Sequence, residues 1–201
     1  MPPEIPTLPS LLRKAGYGTS LVGKWHLGLP PKYGPLLSGY DHFYGFLPGA
    51  SDYYRHPGLM EDTVPANQDG YLTDLLGTRA ANVIDGYARS GKPFLLSLHF
   101  NAPHWPWEPP GDDSESKRLV GHSIADFDGG SQKVYRQMIE ELDLQVGHVL
   151  QALQTNGVAD NTIVVFTSDN GGERFADTWP FTGKKTELLE GGLRIPAVMR
   201  A

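Results

Sequence analysis

The sequence predicts an α/β fold with a largely parallel central sheet and helices on both faces. Two short apolar runs carry that expectation, Phe-Leu-Leu-Ser-Leu-His-Phe at 94–100 and Ile-Val-Val-Phe at 163–166. Runs of this length, rich in branched residues, suit strands buried on both faces of a sheet. Between them, Tyr135, Met138, Ile139, Leu142, Val146, Val149, Leu150 and Leu153 recur at helical spacing. A strand, helix, strand order implies parallel pairing through right-handed crossovers.

Composition narrows the function classes. The chain has 201 residues, 39% hydrophobic and 20% charged, which suits about one globular domain with a real core. The net charge of −6, without a basic block, argues against nucleic acid or an anionic membrane as partner. The absence of cysteine excludes disulfides and a thiol nucleophile. No apolar run approaches the ~20 residues of a membrane span. The start, Met-Pro-Pro-Glu-Ile-Pro, has neither the basic start nor the apolar core of a signal peptide. No repeat, low-complexity tract or linker divides the chain, so one domain is expected over residues 1–201.

The elements follow in order. Residues 7–16 predict a short helix, with Thr7 as N-cap, Pro9 in the first turn and Gly16 at C′. A brief strand is expected at 19–22, running into Gly-Lys-Trp-His-Leu-Gly at 23–28. If that segment is extended, Lys24 and His26 share one side and Trp25 takes the other, so both cations can reach one anion. Residues 29–67, rich in Gly, Pro and aromatics, are too long for an ordinary connection and read as a structured insertion walling a pocket. Aromatic packing onto the core is the default role there for His42, His56 and Ser51. The stripe Leu72, Leu75, Leu76, Ala80, Val83 and Ile84 predicts a helix over 71–87, broken by Gly-Lys-Pro at 91–93. His99 reads as a core or supporting histidine of the following strand. His104 lies just past that strand's end, where a proline-bounded loop can aim it into a crevice. Residues 108–130, with mixed charges and small side chains, read as an exposed loop. A helix follows over 135–153, with Gly157 ending it and Asp143 and His148 exposed or capping. Residues 194–199 predict one more strand.

The strand at 163–166 is expected to be central, and the chemistry should lie just beyond it. Thr167, Ser168, Asp169 and Asn170 present oxygen-bearing side chains before the turn-forming Gly171 and Gly172. An adjacent carboxylate and carboxamide suit a hard cation, Ca²⁺ or Mg²⁺. The same residues are also the commonest turn formers.

Together these segments resemble the sulfatase family of the alkaline-phosphatase-like superfamily, over nearly the whole chain. Gly-Tyr-Gly-Thr-Ser-Leu-Val-Gly-Lys-Trp-His-Leu-Gly at 16–28 is very close to the second sulfatase signature. Ala-Pro-His-Trp-Pro at 102–106, Thr-Ser-Asp-Asn-Gly at 167–171 and the stretch 183–196 fall in the family's order. The resemblance implies an alkaline-phosphatase-like sheet, incomplete here, in a partial catalytic domain over residues 1–201. It implies that Asp169 and Asn170 are metal ligands, to Ca²⁺ ahead of Mg²⁺. Lys24, His26, His104 and Lys185 then surround the sulfate. Lys185 fits the spacing to Glu-Gly-Gly at 190–192 better than its neighbour Lys184, and Ser51 is a further candidate for binding the ester.

Preorganised positive charge from a divalent cation and two lysines suits an ester whose charge grows as it is attacked. In the family the nucleophile is the hydrate of a formylglycine made from Cys or Ser. His104, helped by Lys185, is the candidate to protonate the leaving alkoxide, and His26 the candidate base for sulfate release. The departures are equally specific. The Cys-x-Pro-x-Arg or Ser-x-Pro-x-Arg motif and a preceding Asp-Asp do not occur upstream of Leu8. Ca²⁺ takes about 6–8 oxygens, more than Asp169 and Asn170 supply. The expectation is therefore a sulfatase segment lacking N-terminal and C-terminal parts of its domain, whose parent cleaves a sulfated small molecule or carbohydrate. A phosphoesterase-like relative and a noncatalytic anion-binding protein are the alternatives. By resemblance the location is periplasmic, extracellular or lysosomal.

Overall fold

The computed structural model describes residues 5–125 and 129–201. Residues 1–4, read above as carrying no export signal, and residues 126–128 of the 108–130 segment lie outside the described residues. The chain forms two compact units, residues 1–156 and residues 157–201.

The first unit opens with α1 (Leu8–Lys14), and its cap is the expected one. Thr7 Oγ1 accepts from the Ser10 NH at 3.2 Å, and Ser10 Oγ accepts from the Thr7 NH at 2.9 Å, a reciprocal box with serine in place of the usual Glu or Gln. Gly16 follows with φ 93°. The strand β1 (Gly18–Lys24) is the axis of a five-stranded mixed sheet. It pairs in parallel with β2 (His42–Phe46) on one side; β3 (Met60–Glu61) and β4 (Val64–Pro65) then continue the sheet as antiparallel edge strands. The helix α2 (Leu72–Ser90) ends at Gly91 with φ 65° and leads to β5 (Phe94–His99), which pairs in parallel with the other side of β1. The short α3 (Ser114–Arg118) and the long α4 (Gln132–Thr155) complete the unit.

Alternation along β1 sorts its neighbours. Leu21 joins Trp25, Tyr40 and Phe43 in a buried cluster, with Leu36, Leu47, Met60 and Leu95 packed against it. Ser20 points the other way and its hydroxyl meets the Tyr87 hydroxyl of α2 at 2.8 Å. Helix α4 packs along α2 and approaches it closely at Gly77, where a Cβ would lie 2.3 Å from Gln145 Oε1.

The second unit contains β6 (Val164–Thr167), α5 (Glu190–Leu193) and β7 (Ala197–Arg200). Here the expectation of a central, doubly buried strand is corrected. β6 pairs antiparallel with β7 in a separate two-stranded sheet, and its Val165 and Phe166 are 61% and 44% exposed. Burial on both faces requires a layer on each side, which this 45-residue unit does not build from its own elements.

Two further expectations change. Residues 29–67 hold β2, a parallel partner of β1, so this stretch is part of the sheet and not only an insertion. The 108–130 segment is not exposed throughout: Glu108 is fully buried, and α3 sits within it. Among the described residues, no helix is long and apolar enough to cross a membrane.

Candidate functional site

The candidate residues of the first unit collect where β1, β2 and β5 end. Register puts Gly23 of β1 opposite Gly45 of β2 and His99 of β5. At Gly23 a Cβ would lie 2.0 Å from the His99 carbonyl oxygen, and at Gly45 a Cβ would lie 1.9 Å from the Gly23 carbonyl oxygen. The strands thus approach too closely for any side chain at these positions, and the next residue, Lys24, is the last of β1. Lys24 is half-buried, and its carbonyl accepts from His99 Nδ1 at 3.0 Å. His99 therefore sits at the strand end supporting Lys24, not in the core; it is itself exposed.

The segment beyond Lys24 is not extended. His26 has φ 53°, so the simple alternation of Lys24 and His26 about Trp25 does not apply. Trp25 packs inward and its indole NH donates to the Gly28 carbonyl at 3.0 Å, closing the turn. His26 is exposed, its NH donates to the Leu47 carbonyl at 3.1 Å, and its ring lies over Gly49, where a Cβ would meet Cε1 at 2.5 Å. The loop after β2 is thereby tied to the His26 turn. Ser51 ends that loop in a buried position; its hydroxyl donates to the Asp52 carbonyl at 3.3 Å and its carbonyl accepts from Asn101 Nδ2 at 3.1 Å.

His104 lies on a strap, residues 101–109, that follows β5. Its NH donates to the Asn101 carbonyl at 2.9 Å, and Nδ1 lies 2.8 Å from the Trp105 carbonyl. A carbonyl only accepts, so Nδ1 carries a proton in this arrangement. The Trp105 ring leans on the imidazole at 4.4 Å between centroids. His56 is buried, with Nε2 donating to the Gly70 carbonyl at 2.8 Å, the packing role expected of it, whereas His42 is half-buried between Asp62 at 3.0 Å and Glu61 at 3.7 Å rather than packed into the core.

Behind the strap lies a polar cluster with no counterpart in the sequence reading. Asp52 is fully buried and receives the Tyr54 NH at 2.9 Å, the Arg55 NH at 2.8 Å, the Arg55 guanidinium and the Ser116 hydroxyl at 2.8 Å. Burial pushes its carboxyl up, but these donors outweigh burial and hold it below the usual carboxylate range. Glu108 accepts the Tyr53 NH at 2.6 Å. Burial dominates there and pushes the Glu108 carboxyl up to about 7. The signal available in the sequence was a lone carboxylate set between Trp107 and Pro109, within a run of aromatics and prolines unsuited to a solvated loop.

In the second unit, backbone contacts knit the turn after β6 to the loops that follow. Gly171 NH donates to the Gly192 carbonyl at 2.9 Å, Lys185 NH to the Gly172 carbonyl at 2.8 Å and Gly191 NH to the Thr182 carbonyl at 2.8 Å. A Cβ at Gly171 would lie 2.0 Å from the Gly191 carbonyl oxygen, one at Gly191 2.1 Å from the Gly183 carbonyl oxygen and one at Gly192 2.3 Å from the Glu187 carbonyl oxygen, so all three positions require glycine. Lys185 is half-buried and its ammonium lies 3.8 Å from Glu173, whereas Lys184 is exposed and its NH bonds Glu187. Asp169 is exposed and Asn170 half-buried, with the Asn170 carbonyl held by the Ser168 hydroxyl at 2.9 Å. The donor chemistry of this pair fits a hard cation. Among the described residues, no group of three or more His, Cys, Asp or Glu side chains is arranged to hold a metal.

A model of the Sulfatase family matches residues 1–201. The chain is 33% identical to mouse arylsulfatase J over 96% of its own length and 34% of that protein's. It is 34% identical to human N-acetylgalactosamine-6-sulfatase, over 95% of this chain and 38% of that one. The chain thus spans little more than a third of the length of these relatives. Among solved structures, Ps i-CgsB in complex with k-i-k-neocarrahexaose superposes with a TM-score of 0.86 at 29% identity, covering 98% of this chain and 48% of that one.

Proposed function

The chain belongs to the sulfatase family, and from that membership we propose that it is a segment of a sulfuric ester hydrolase acting on a sulfated carbohydrate. One observation carries the reading. Lys24 and the loops bearing His26 and His104 gather at the carboxyl ends of adjoining parallel strands, where α/β sheets bind ligands. A sulfated sugar is suggested by a relative named N-acetylgalactosamine-6-sulfatase and by a solved structure in complex with k-i-k-neocarrahexaose, although another relative is named an arylsulfatase.

Each residue has a role that its surroundings support. Lys24, at the end of β1, contributes fixed positive charge where the ester's charge grows. His104 protonates the leaving alkoxide from Nε2, because Nδ1 is already committed to the Trp105 carbonyl. His26, exposed beyond the strand, takes the proton that must leave as sulfate is released. Lys185 supplies further positive charge, and Asp169 and Asn170 would hold the cation, Ca²⁺ by its preference for oxygen donors. Ser51, buried beneath the site loops, orients the β2 loop through its carbonyl rather than its hydroxyl. Members of the family use a metal ion and a formylglycine; together these supply Lewis acidity and the nucleophile. Residues 1–201 form part of one catalytic domain in this reading, a view supported by a family match running along the full chain.

The test is to translate the coding DNA upstream of the Met1 codon and express the whole reading frame. Continuation into an Asp-Asp strand end and a Cys-x-Pro-x-Arg or Ser-x-Pro-x-Arg, with sulfate-ester hydrolysis abolished by His104→Ala and His26→Ala, is the expected result. A stop codon there, or hydrolysis indifferent to both substitutions, overturns the proposal and favours an anion-binding protein.

A further inference from the structure

Among the side chains that hold the strap carrying His104, Tyr53 is bonded to His104 itself, and it is held in turn. The Tyr53 hydroxyl donates to the His104 carbonyl at 2.9 Å, while the Tyr53 NH donates to Glu108 Oε2 at 2.6 Å. Tyr53 therefore bonds the strap at two points four residues apart in sequence, one of them the residue that bears the imidazole. Tyr71 stacks on Tyr53 at 5.3 Å and 21°, and its own hydroxyl donates to the Glu108 carbonyl at 2.8 Å. Tyr53, Tyr71 and Glu108 are all buried.

We propose that Tyr53 and Glu108 are positioning residues for His104: Glu108 fixes Tyr53, and Tyr53 fixes the backbone carbonyl from which the imidazole is aimed. This rests on the reading of His104 as the proton donor to the leaving group. The stakes are geometric. A proton donor misplaced by about 1 Å loses much of its effect, and the strap's own bonds, among them His104 to Asn101 and Glu108 to Pro106, run between near neighbours in sequence. A residue bonded to the strap at both His104 and Glu108 ties its two ends to the β2 loop. Among the described residues Glu108 Oε1 has no hydrogen-bond partner, so the carboxyl is not there to satisfy a network of its own; its one bond is to Tyr53. The charged and titratable groups around Glu108 are Asp52, Arg55 and Glu115, with Tyr53, Tyr54 and Tyr71 packed about it.

The experiment uses the 201-residue chain with ¹³C-labelled histidine, the His104 ring signal being assigned by its loss in His104→Ala. Tyr53→Phe, which removes one oxygen, is expected to shift the His104 signal and to raise amide exchange across 101–108 by about tenfold, the worth of one hydrogen bond. Tyr54→Phe, which releases the Pro109 carbonyl at the strap's far end and the Asp112 NH beyond it, leaves that signal in place. Glu108→Gln, which keeps an acceptor for the Tyr53 NH, retains the wild-type signal, whereas Glu108→Ala moves it as Tyr53→Phe does. A merely structural role lowers the melting temperature but leaves the His104 signal unmoved in Tyr53→Phe, and that result overturns the proposal even if Glu108→Ala does not fold. Titration with inorganic sulfate separates the two readings. If sulfate fails to perturb His104 in the wild type, the site reading falls; if sulfate perturbs it while Tyr53→Phe leaves the ligand-free signal unchanged, only the positioning proposal falls.

Discussion

Gly23 stands so close to His99 that a Cβ on it would lie 2.0 Å from the His99 carbonyl oxygen. Its φ of 112° lies in the region that only glycine occupies without strain. Gly23→Ala is therefore expected to cost about 3 kcal/mol or more, from backbone strain together with forced separation of β1 and β5. Gly86→Ala is the matched control. Gly86 is in the interior of α2 with nothing within 4 Å of a new Cβ, and this change is expected to stabilise by about 0.5–1 kcal/mol. Urea midpoints of the two variants should move in opposite directions.

Glu108 gives stability a pH dependence with a definite sign. Its folded pKa of about 7 lies above the ordinary 4.5, so between these values the folded state binds the extra proton. The stability it contributes is fully present below pH 4.5 and is lost as pH rises through 7, a change of about 3 kcal/mol at most. Asp74, pushed up to about 7 by burial and then by Glu141 beside it, titrates in the same window. Thermal melts across this range should show stability falling with pH, a shallower fall in Glu108→Gln, and a shallower one again when Asp74→Asn is added.

Asp52 is a different case, a buried carboxylate whose oxygens are occupied by Arg55, Ser116 and two backbone NH groups. Asp52→Ala strands those donors and is expected to cost about 3 kcal/mol. Asp52→Asn, which keeps the shape but loses charge and turns one acceptor into a donor, falls between. Chemical denaturation of both variants checks the order.

The 201-residue chain is expected to show no turnover of an aryl sulfate, because it contains no cysteine and no Ser-x-Pro-x-Arg. If Asp169 and Asn170 hold calcium as proposed, it should bind weakly, since two side chains would supply only part of a shell that takes about 6–8 oxygens. Calorimetric titration should give a small response that Asp169→Asn abolishes. Robust turnover lost in His26→Ala would contradict this expectation.

Local signals carried much of the fold. Thr7, Pro9 and Gly16 bound α1 as capping chemistry requires, and the stripe from Leu72 to Ile84 marks α2 because one face of that helix is buried. β2 was hidden because His-Phe-Tyr-Gly-Phe at 42–46 lies in a stretch whose glycines and prolines read as loop. β6 misled in the opposite way: its apolar run specifies a strand but not the layers around it. At the site, Lys24, His26 and His104 were legible as residue types in a pattern. The φ of His26 was not, since a left-handed histidine between tryptophan and leucine leaves no mark in the sequence. Glu108 and Tyr53 were missed because their importance lies in a contact between residues 55 apart.

The two-stranded sheet of the second unit bears on how the protein behaves in a tube. β6 and β7 form an isolated pair, and a lone pair of strands is marginal in water. Val165, Phe166, Val198 and Met199 are all exposed on it, next to backbone edges able to accept another strand. As a free 201-residue chain, the protein should be colloidally fragile. Its solubility would be governed by these few positions rather than by its net charge, and a single lysine at Val165 should do more to keep concentrated samples clear than several charges placed elsewhere.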